Sequence, residues 1–151
     1  MSVLKKYHKR LDKVEKGVEQ EAYRIIQQEQ KRIIALNTEE QLHLGLGQKG
    51  QKLLPRYSRV RYALRKNQLN PLAGLGTPDL KLTGEFYDKF FLTTKSKQVE
   101  FNSSAEHTKH LVKRYGSTQD IFGLNTKNAA ILNNEILFPK LAKWLLKTLK
   151  L

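Results

Sequence analysis

The stretch Phe90-Phe91-Leu92-Thr93-Thr94-Lys95-Ser96-Lys97-Gln98-Val99-Glu100-Phe101-Asn102 decides the fold class. Phe90 to Thr94 is aromatic and β-branched, the composition that suits a pleated surface. Val99 and Phe101 alternate with Gln98, Glu100 and Asn102, the period of a strand with one buried face. Lys95-Ser96-Lys97 is a polar link short enough to join the two runs as an antiparallel hairpin.

Working outward from the hairpin, the sequence turns helical on both sides. Ahead of it, Leu82-Thr83-Gly84-Glu85-Phe86-Tyr87-Asp88-Lys89 reads as a short helix capped by Thr83. Behind it, Ser104 is placed to cap a helix that runs to about Tyr115 and ends at Gly116. Asp120-Ile121-Phe122-Gly123-Leu124-Asn125 is a short apolar turn, and a last helix begins near Thr126. Pro139 requires either a kink in that helix or a second helix that carries it in the first turn. Beyond it, Leu141, Leu145, Leu146 and Leu149 form an apolar stripe beside the basic stripe of Lys140, Lys143, Lys147 and Lys150.

At the other end, Leu4, Tyr7, Leu11, Val14, Val18, Ala22, Ile25, Ile33 and Leu36 recur at spacings mostly of three and four without a proline. They predict a long amphipathic helix over residues 1–36, about 50 Å if unbroken, with Gly17 as its soft point. Its stripe exceeds what one small core covers. It serves either as an intramolecular core helix or, through Leu4, Tyr7, Leu11 and Val14, as a subunit contact. Asn37-Thr38-Glu39-Glu40-Gln41 has the form of a capping box, Thr38 bonding forward and Gln41 reaching back, with a short helical turn after it. The expected fold is therefore α+β: long N- and C-terminal helices packed around a small antiparallel sheet, with residues 1–36 and 37–151 forming a single structural domain. Its core draws on Leu82, Phe86, Phe90, Val99, Phe101, Leu111, Phe122, Leu124 and Leu141.

Composition bounds the function. At 151 residues the chain can bury about two-thirds of its unfolded surface. It has no cysteine, which excludes disulfides and thiolate metal sites. The opening Met1-Ser2-Val3-Leu4-Lys5-Lys6 lacks the apolar segment of a signal peptide, and no apolar run approaches the roughly 18 residues of a membrane span. An intracellular protein with no membrane partner is expected. Twenty-eight Lys and Arg against fourteen Asp and Glu leave a net charge of +14, which points to an acidic partner.

Sites of catalysis or cofactor binding fare poorly. Gly45-Leu46-Gly47-Gln48-Lys49-Gly50 has the spacing of a dinucleotide-binding loop, but a helix precedes it and an extended run follows, so it reads as a glycine-rich hairpin turn leading into Lys52-Leu53-Leu54. His107 and His110 are three apart on a helix, yet two ligands do not make a metal site. Asp79, Glu85 and Asp88 have no partner constellation. The expectation is no enzyme activity, no cofactor and no metal.

The charge is unevenly placed. Between Gln41 and Pro78 there is no acidic residue, while Lys49, Lys52, Arg56, Arg59, Arg61, Arg65 and Lys66 add seven positive charges. Tyr57 and Tyr62 are interleaved with the arginines, as in surfaces that stack on bases or bond to phosphates. With Asn70-Pro71 and Gly74-Leu75-Gly76-Thr77-Pro78 as breakers, residues 55–76 read as an extended basic arm that binds DNA or an acidic protein.

Taken in order, Leu82-Thr83-Gly84-Glu85-Phe86, the two strands, Lys113-Arg114-Tyr115-Gly116 and Ile121-Phe122-Gly123-Leu124-Asn125 before a terminal helix resemble tail-completion and head-tail joining proteins of tailed bacteriophages. The Gly47-Gln48-Lys49-Gly50 turn also fits, and the resemblance covers roughly residues 38–150. Members of that family often carry a run of proline and arginine where this chain has Ser117-Thr118-Gln119-Asp120. The resemblance implies a connector-like α+β subunit of the virion, assembled in the host cytoplasm as a homo-oligomeric ring. Its neighbours would be portal or tail subunits, with genomic DNA passing through the ring and no active site. Phe122 would then be an alternative anchor for a neighbouring subunit. The competing expectation is a standalone basic nucleic-acid-binding protein.

Overall fold

The computed structural model describes residues 2–95, 97–116 and 120–151. Ser96, in the middle of the expected hairpin link, and Ser117 to Gln119, where the chain departs from the phage pattern, lie outside the described residues. The fold is α+β, with helices towards both termini and one two-stranded antiparallel sheet among the described residues. The chain divides into two units, one of residues 1–30 with 130–151 and one of residues 31–129.

The first unit is helical. Helix α1, Val3–Gln28, starts where the Ser2 hydroxyl accepts the Lys5 N–H at 3.4 Å. It runs through Gly17 unbroken and is interrupted instead at Glu29, whose N–H still reaches the Ile25 carbonyl at 2.9 Å. Gly17 answers to packing: a Cβ there would stand 3.3 Å from the ring of Trp144. Trp144 belongs to the last helix, Phe138–Leu149, which lies antiparallel to α1. The Arg10 guanidinium donates to the Leu149 carbonyl at 3.0 Å, and Lys140 pairs with Glu29 at the far end. Arg10 thereby places a cation at a helix C-terminus, where the macrodipole favours it. Within α1, Arg24 forks onto the buried Glu21 and holds its carboxyl below the usual range.

Two paired helices cover only one face of each other. Leu4 and Leu11 remain 70% and 53% exposed, Tyr7 and Val18 are exposed as well, and Val14 is half-buried. Gly17→Leu is expected to lower stability by about 1–3 kcal/mol, because the branched side chain displaces the Trp144 ring. Gly17→Ala stays near neutral, about 1 kcal/mol of helix propensity offsetting a small ring shift. Trp144, the only tryptophan, reports the displacement as a fluorescence red shift alongside urea unfolding.

Helix α2, Gln30–Thr38, leads into the second unit. Among the described residues the unit continues with a 3-10 turn at Leu42–Leu44, helix α3 at Val60–Leu69, helix α4 at Glu85–Asp88 and strands β1, Phe90–Lys95, and β2, Gln98–Ser103. Helix α5, Thr108–Leu111, then widens into a π-helical turn at Val112–Gly116. The strands pair with Phe90 opposite Ser103, Leu92 opposite Phe101 and Thr94 opposite Val99. Phe90 and Leu92 face the core, and the rings of Phe86, Phe90 and Phe122 meet at centroid distances of 5.2 to 6.0 Å. Leu42, Leu53, Leu80, Tyr87, Ala105, Tyr115 and Ile121 complete this cluster, with Phe101, Leu111 and Phe122 packed against it. Each large side chain buried here contributes about 1.5–3 kcal/mol.

Several local expectations are corrected. Leu82 is 77% exposed; Leu80, two residues earlier with φ 56°, is the one that is buried. Ser104 caps nothing, because α5 starts at Thr108; the neighbouring Ser103 hydroxyl instead donates to the Phe86 carbonyl at 2.8 Å. Thr83 does serve the start of α4, its hydroxyl accepting the Glu85 N–H at 3.3 Å. Phe122 packs against Phe86 and Phe90 at the margin of the core, half-buried, in keeping with its place among the expected core residues. Towards the C-terminus, α6, Thr126–Ile131, widens to π-helical turns at Leu132–Leu137, and α7, Phe138–Leu149, restarts the α-helix with Pro139 in its first turn.

The capping-box reading of residues 37–41 is also overturned. The Thr38 hydroxyl donates back to the Ile34 carbonyl at 3.0 Å, ending α2. Asn37 donates to the Ile121 carbonyl at 3.2 Å and accepts the Gly123 N–H at 3.0 Å. Gln41 donates to the Gly123 carbonyl and accepts the Asn125 N–H, both at 2.8 Å. Asn128 donates to the Leu36 carbonyl at 2.7 Å. The Asn37 and Gln41 amides give the backbone of the 121–125 turn the partners that a sheet would otherwise supply, and Asn128 ties α6 back to α2. Gly123 sits at φ 116°, a backbone conformation that side chains rarely adopt, and an added Cβ would also push aside the Gln48 amide, whose Nε2 it would approach to 2.8 Å.

Candidate functional site

The segment rich in arginine is not an extended arm. Val60 to Leu69 contains neither glycine nor proline and is rich in residues that favour helices, so it folds as α3, stopping at Asn70 before Pro71. Ala63 and Lys66 lie on its buried face, whereas Arg61, Leu64 and Arg65 are exposed. Lys66 is the correction that matters most: it is 7% exposed, its ammonium 2.7 Å from Asp79 Oδ1 and donating to the Lys81 carbonyl at 2.6 Å. Its ammonium is engaged inside the protein, so Lys66 is no free surface cation, although it contributes to the wall of a cleft beside α3.

Asp79 is the hub that holds α3 down. Its carboxylate also accepts from Asn70 Nδ2 at 2.9 Å and from the Lys81 N–H at 3.1 Å, while its carbonyl accepts from the Tyr87 hydroxyl. Glu85 does not join Asp79: it faces Lys89 at 2.6 Å, and that ammonium keeps its carboxyl below the usual range.

Ahead of α3, the glycine-rich stretch forms the expected hairpin turn. Leu46 bridges to Lys52, and the Gly50 N–H donates to the Gly47 carbonyl at 2.9 Å. Lys49 is exposed at its tip. Lys52 is exposed along its stem, but its ammonium donates to the Leu44 and Ala73 carbonyls at 2.8 Å each, tying two loops together. Arg56 is exposed, and the adjacent Tyr57 N–H donates to the Gly76 carbonyl at 2.9 Å.

Two adjoining clefts lie beside α3. One, of about 300 Å³, is lined by Tyr57, Tyr62 and Tyr115 together with Leu80, Leu82 and Leu111. The other, of about 250 Å³, is lined by the same three tyrosines with Ser58, Arg59 and Arg114. Tyr57 and Tyr62 meet edge to face at 4.9 Å, and the Arg114 guanidinium lies 5.7 Å from the centre of the Tyr115 ring. Burial raises the Tyr57 hydroxyl, with the Asp79 carboxylate and Tyr62 adding to the shift. Burial also raises Tyr115, opposed by Arg114. The Tyr57 and Tyr115 phenols are therefore neutral hydrogen-bonding groups on an apolar wall.

Of the predicted binding residues, the structure brings Tyr57, Arg59 and Tyr62 together at the clefts and sets Arg61 and Arg65 on the outer face of α3. Lys49 and Arg56 stand apart. Arg114 and Tyr115, which the sequence places only in the Lys113–Gly116 segment of the phage resemblance, join the clefts as well. A signal for them is present, because Arg56-Tyr57, Arg61-Tyr62 and Arg114-Tyr115 are three copies of one dipeptide whose tyrosines line both clefts. No described helix is long and apolar enough to cross a membrane. Compared with family models, with characterised proteins and with solved structures, the chain finds no match.

Proposed function

We propose that the protein is a non-enzymatic structural subunit of a tailed-phage virion, a head-tail connector or tail-completion ring component near the DNA channel, assembled in the host cytoplasm. The supporting observation is that the motif segments in family order build one core: the Gly84 helix start, the hairpin and the Phe122-Gly123-Leu124 turn meet in the Phe86, Phe90 and Phe122 cluster. The Gly47–Gly50 turn joins them, with the Gln48 N–H donating to the Asp120 carbonyl at 3.1 Å. The exposed stripe of Leu4, Tyr7 and Leu11 on α1 supplies apolar surface for neighbouring subunits and virion partners.

Electron microscopy of the purified protein and of particles tests this reading. Rings, and density for the chain at the head-tail junction, are the expected result. Leu4→Asp with Leu11→Asp, at exposed positions, is expected to leave folded monomers in light scattering. A strictly monomeric wild-type protein that is absent from particles sinks the reading.

A standalone nucleic-acid-binding protein is the second reading, favoured by the exposed Arg59, Arg61 and Arg65 in a stretch free of acidic residues. It requires affinity for duplex or single-stranded DNA that falls with salt at a log-log slope of about 0.9 per phosphate neutralised.

A further inference from the structure

The two clefts have complementary linings and share one wall. The larger hollow is closed by Leu80, Leu82 and Leu111, while the smaller offers Arg59 and Arg114. Leu82 is the telling residue: a large apolar side chain held 77% exposed at the rim of an apolar hollow. The hollow lies at the small end of the roughly 300–1,000 Å³ range of ligand pockets, room for one or two side chains.

The tyrosines are poorly disposed to stack on bases. Tyr57 and Tyr62 already occupy each other edge to face, and Arg114 lies over the ring of Tyr115. A base needs an open ring face, whereas an apolar side chain needs only an enclosed wall. A duplex cannot place apolar substance in such a hollow. A second copy carries a net charge of +14, the wrong sign for a cleft lined by Arg59 and Arg114, and of its exposed apolar residues only a few, such as Leu11 beside Asp12 and Val18 beside Glu19, adjoin a carboxylate.

We infer that the paired clefts bind an acidic peptide segment of a partner protein, an apolar side chain entering the hollow of Tyr57, Tyr62 and Leu111 while a neighbouring carboxylate meets Arg59 and Arg114. The inference goes beyond the function proposed above and takes up the acidic-protein alternative that the acid-free stretch of residues 55–76 raised. Charge complementarity selects it: Arg59 and Arg114 line the smaller cleft without an acidic residue, and the one carboxylate lining the larger, Glu85, is held by Lys89.

Fluorescence anisotropy of the full chain tests it with three labelled probes. These are a nonapeptide of Asp and Glu carrying Leu-Phe at its centre, the same peptide with Ser-Ser there, and an oligothymidylate of equal charge. The Leu-Phe peptide is expected to bind at least about tenfold tighter than the Ser-Ser peptide, the scale of burying one large apolar side chain. Leu82→Asp, at an exposed position that leaves the fold intact, is expected to abolish that preference. Arg59→Glu with Arg114→Glu is expected to weaken both peptides by about tenfold or more. Equal affinity for the two peptides, no peptide binding, or oligothymidylate displacing the Leu-Phe peptide from the wild type but not binding Leu82→Asp overturns the inference. Failure here leaves ring assembly in particles standing, and absence from particles leaves peptide binding standing.

Discussion

Asp79→Ala is expected to lower the unfolding free energy by about 3–5 kcal/mol in urea titration, the largest effect of any single substitution in the second unit. The carboxylate is the only anion beside the buried Lys66 ammonium among the described contacts, and it also bonds the Asn70 amide and the Lys81 N–H. Removing it leaves a buried charge with one carbonyl for company and frees two further donors. The paired change Lys66→Met with Asp79→Leu is expected to recover most of the loss, because a buried ion pair can be replaced by apolar groups of similar volume at little cost. The double-mutant cycle separates the charge pair from the rest of the hub. A loss below about 1 kcal/mol for Asp79→Ala would mean that Lys66 escapes to solvent and that α3 is not pinned.

Gln41→Ala is expected to cost about 2–4 kcal/mol, since two backbone groups of the 121–125 turn lose their partners while buried. Asn37→Ala removes the adjoining pair of bonds and is expected to cost a similar amount. Because the two amides serve one turn, the double variant should lose less than the sum. Hydrogen exchange is the direct readout, with the Asn125 amide losing protection in Gln41→Ala and the Gly123 amide in Asn37→Ala. Unchanged protection would show that the turn holds itself.

The hairpin was legible because its signal is local. Alternation along Gln98–Asn102 and the β-branched, aromatic run at Phe90–Thr94 state the buried face residue by residue, and the strands extend only one residue beyond that reading. Pro139 was legible for the same reason, a missing N–H being a property of the residue itself. Helix α3 was not. Val60, Leu64 and Leu69 are apolar yet 72%, 50% and 71% exposed, and the residue that seats the helix is a lysine. Its periodicity therefore carries no apolar stripe to read. Gln41 was misread because its partners, Gly123 and Asn125, lie 82 and 84 residues away, while a capping box needs only a neighbour three residues off.

For the candidate site, the sequence located the positive charge and the tertiary structure sorted it. Composition and order were enough to establish an acid-free stretch of seven cations, a long first helix with surplus apolar surface, and an α+β arrangement. They could not tell that Lys66 serves the core or that Lys52 ties loops, because desolvation depends on what the rest of the chain places around a side chain. Convergence of Tyr57 and Tyr62 with Tyr115 is of the same kind. Propensity and period act between neighbours and can be read along the chain, whereas a cleft exists only once segments more than fifty residues apart close around the same space.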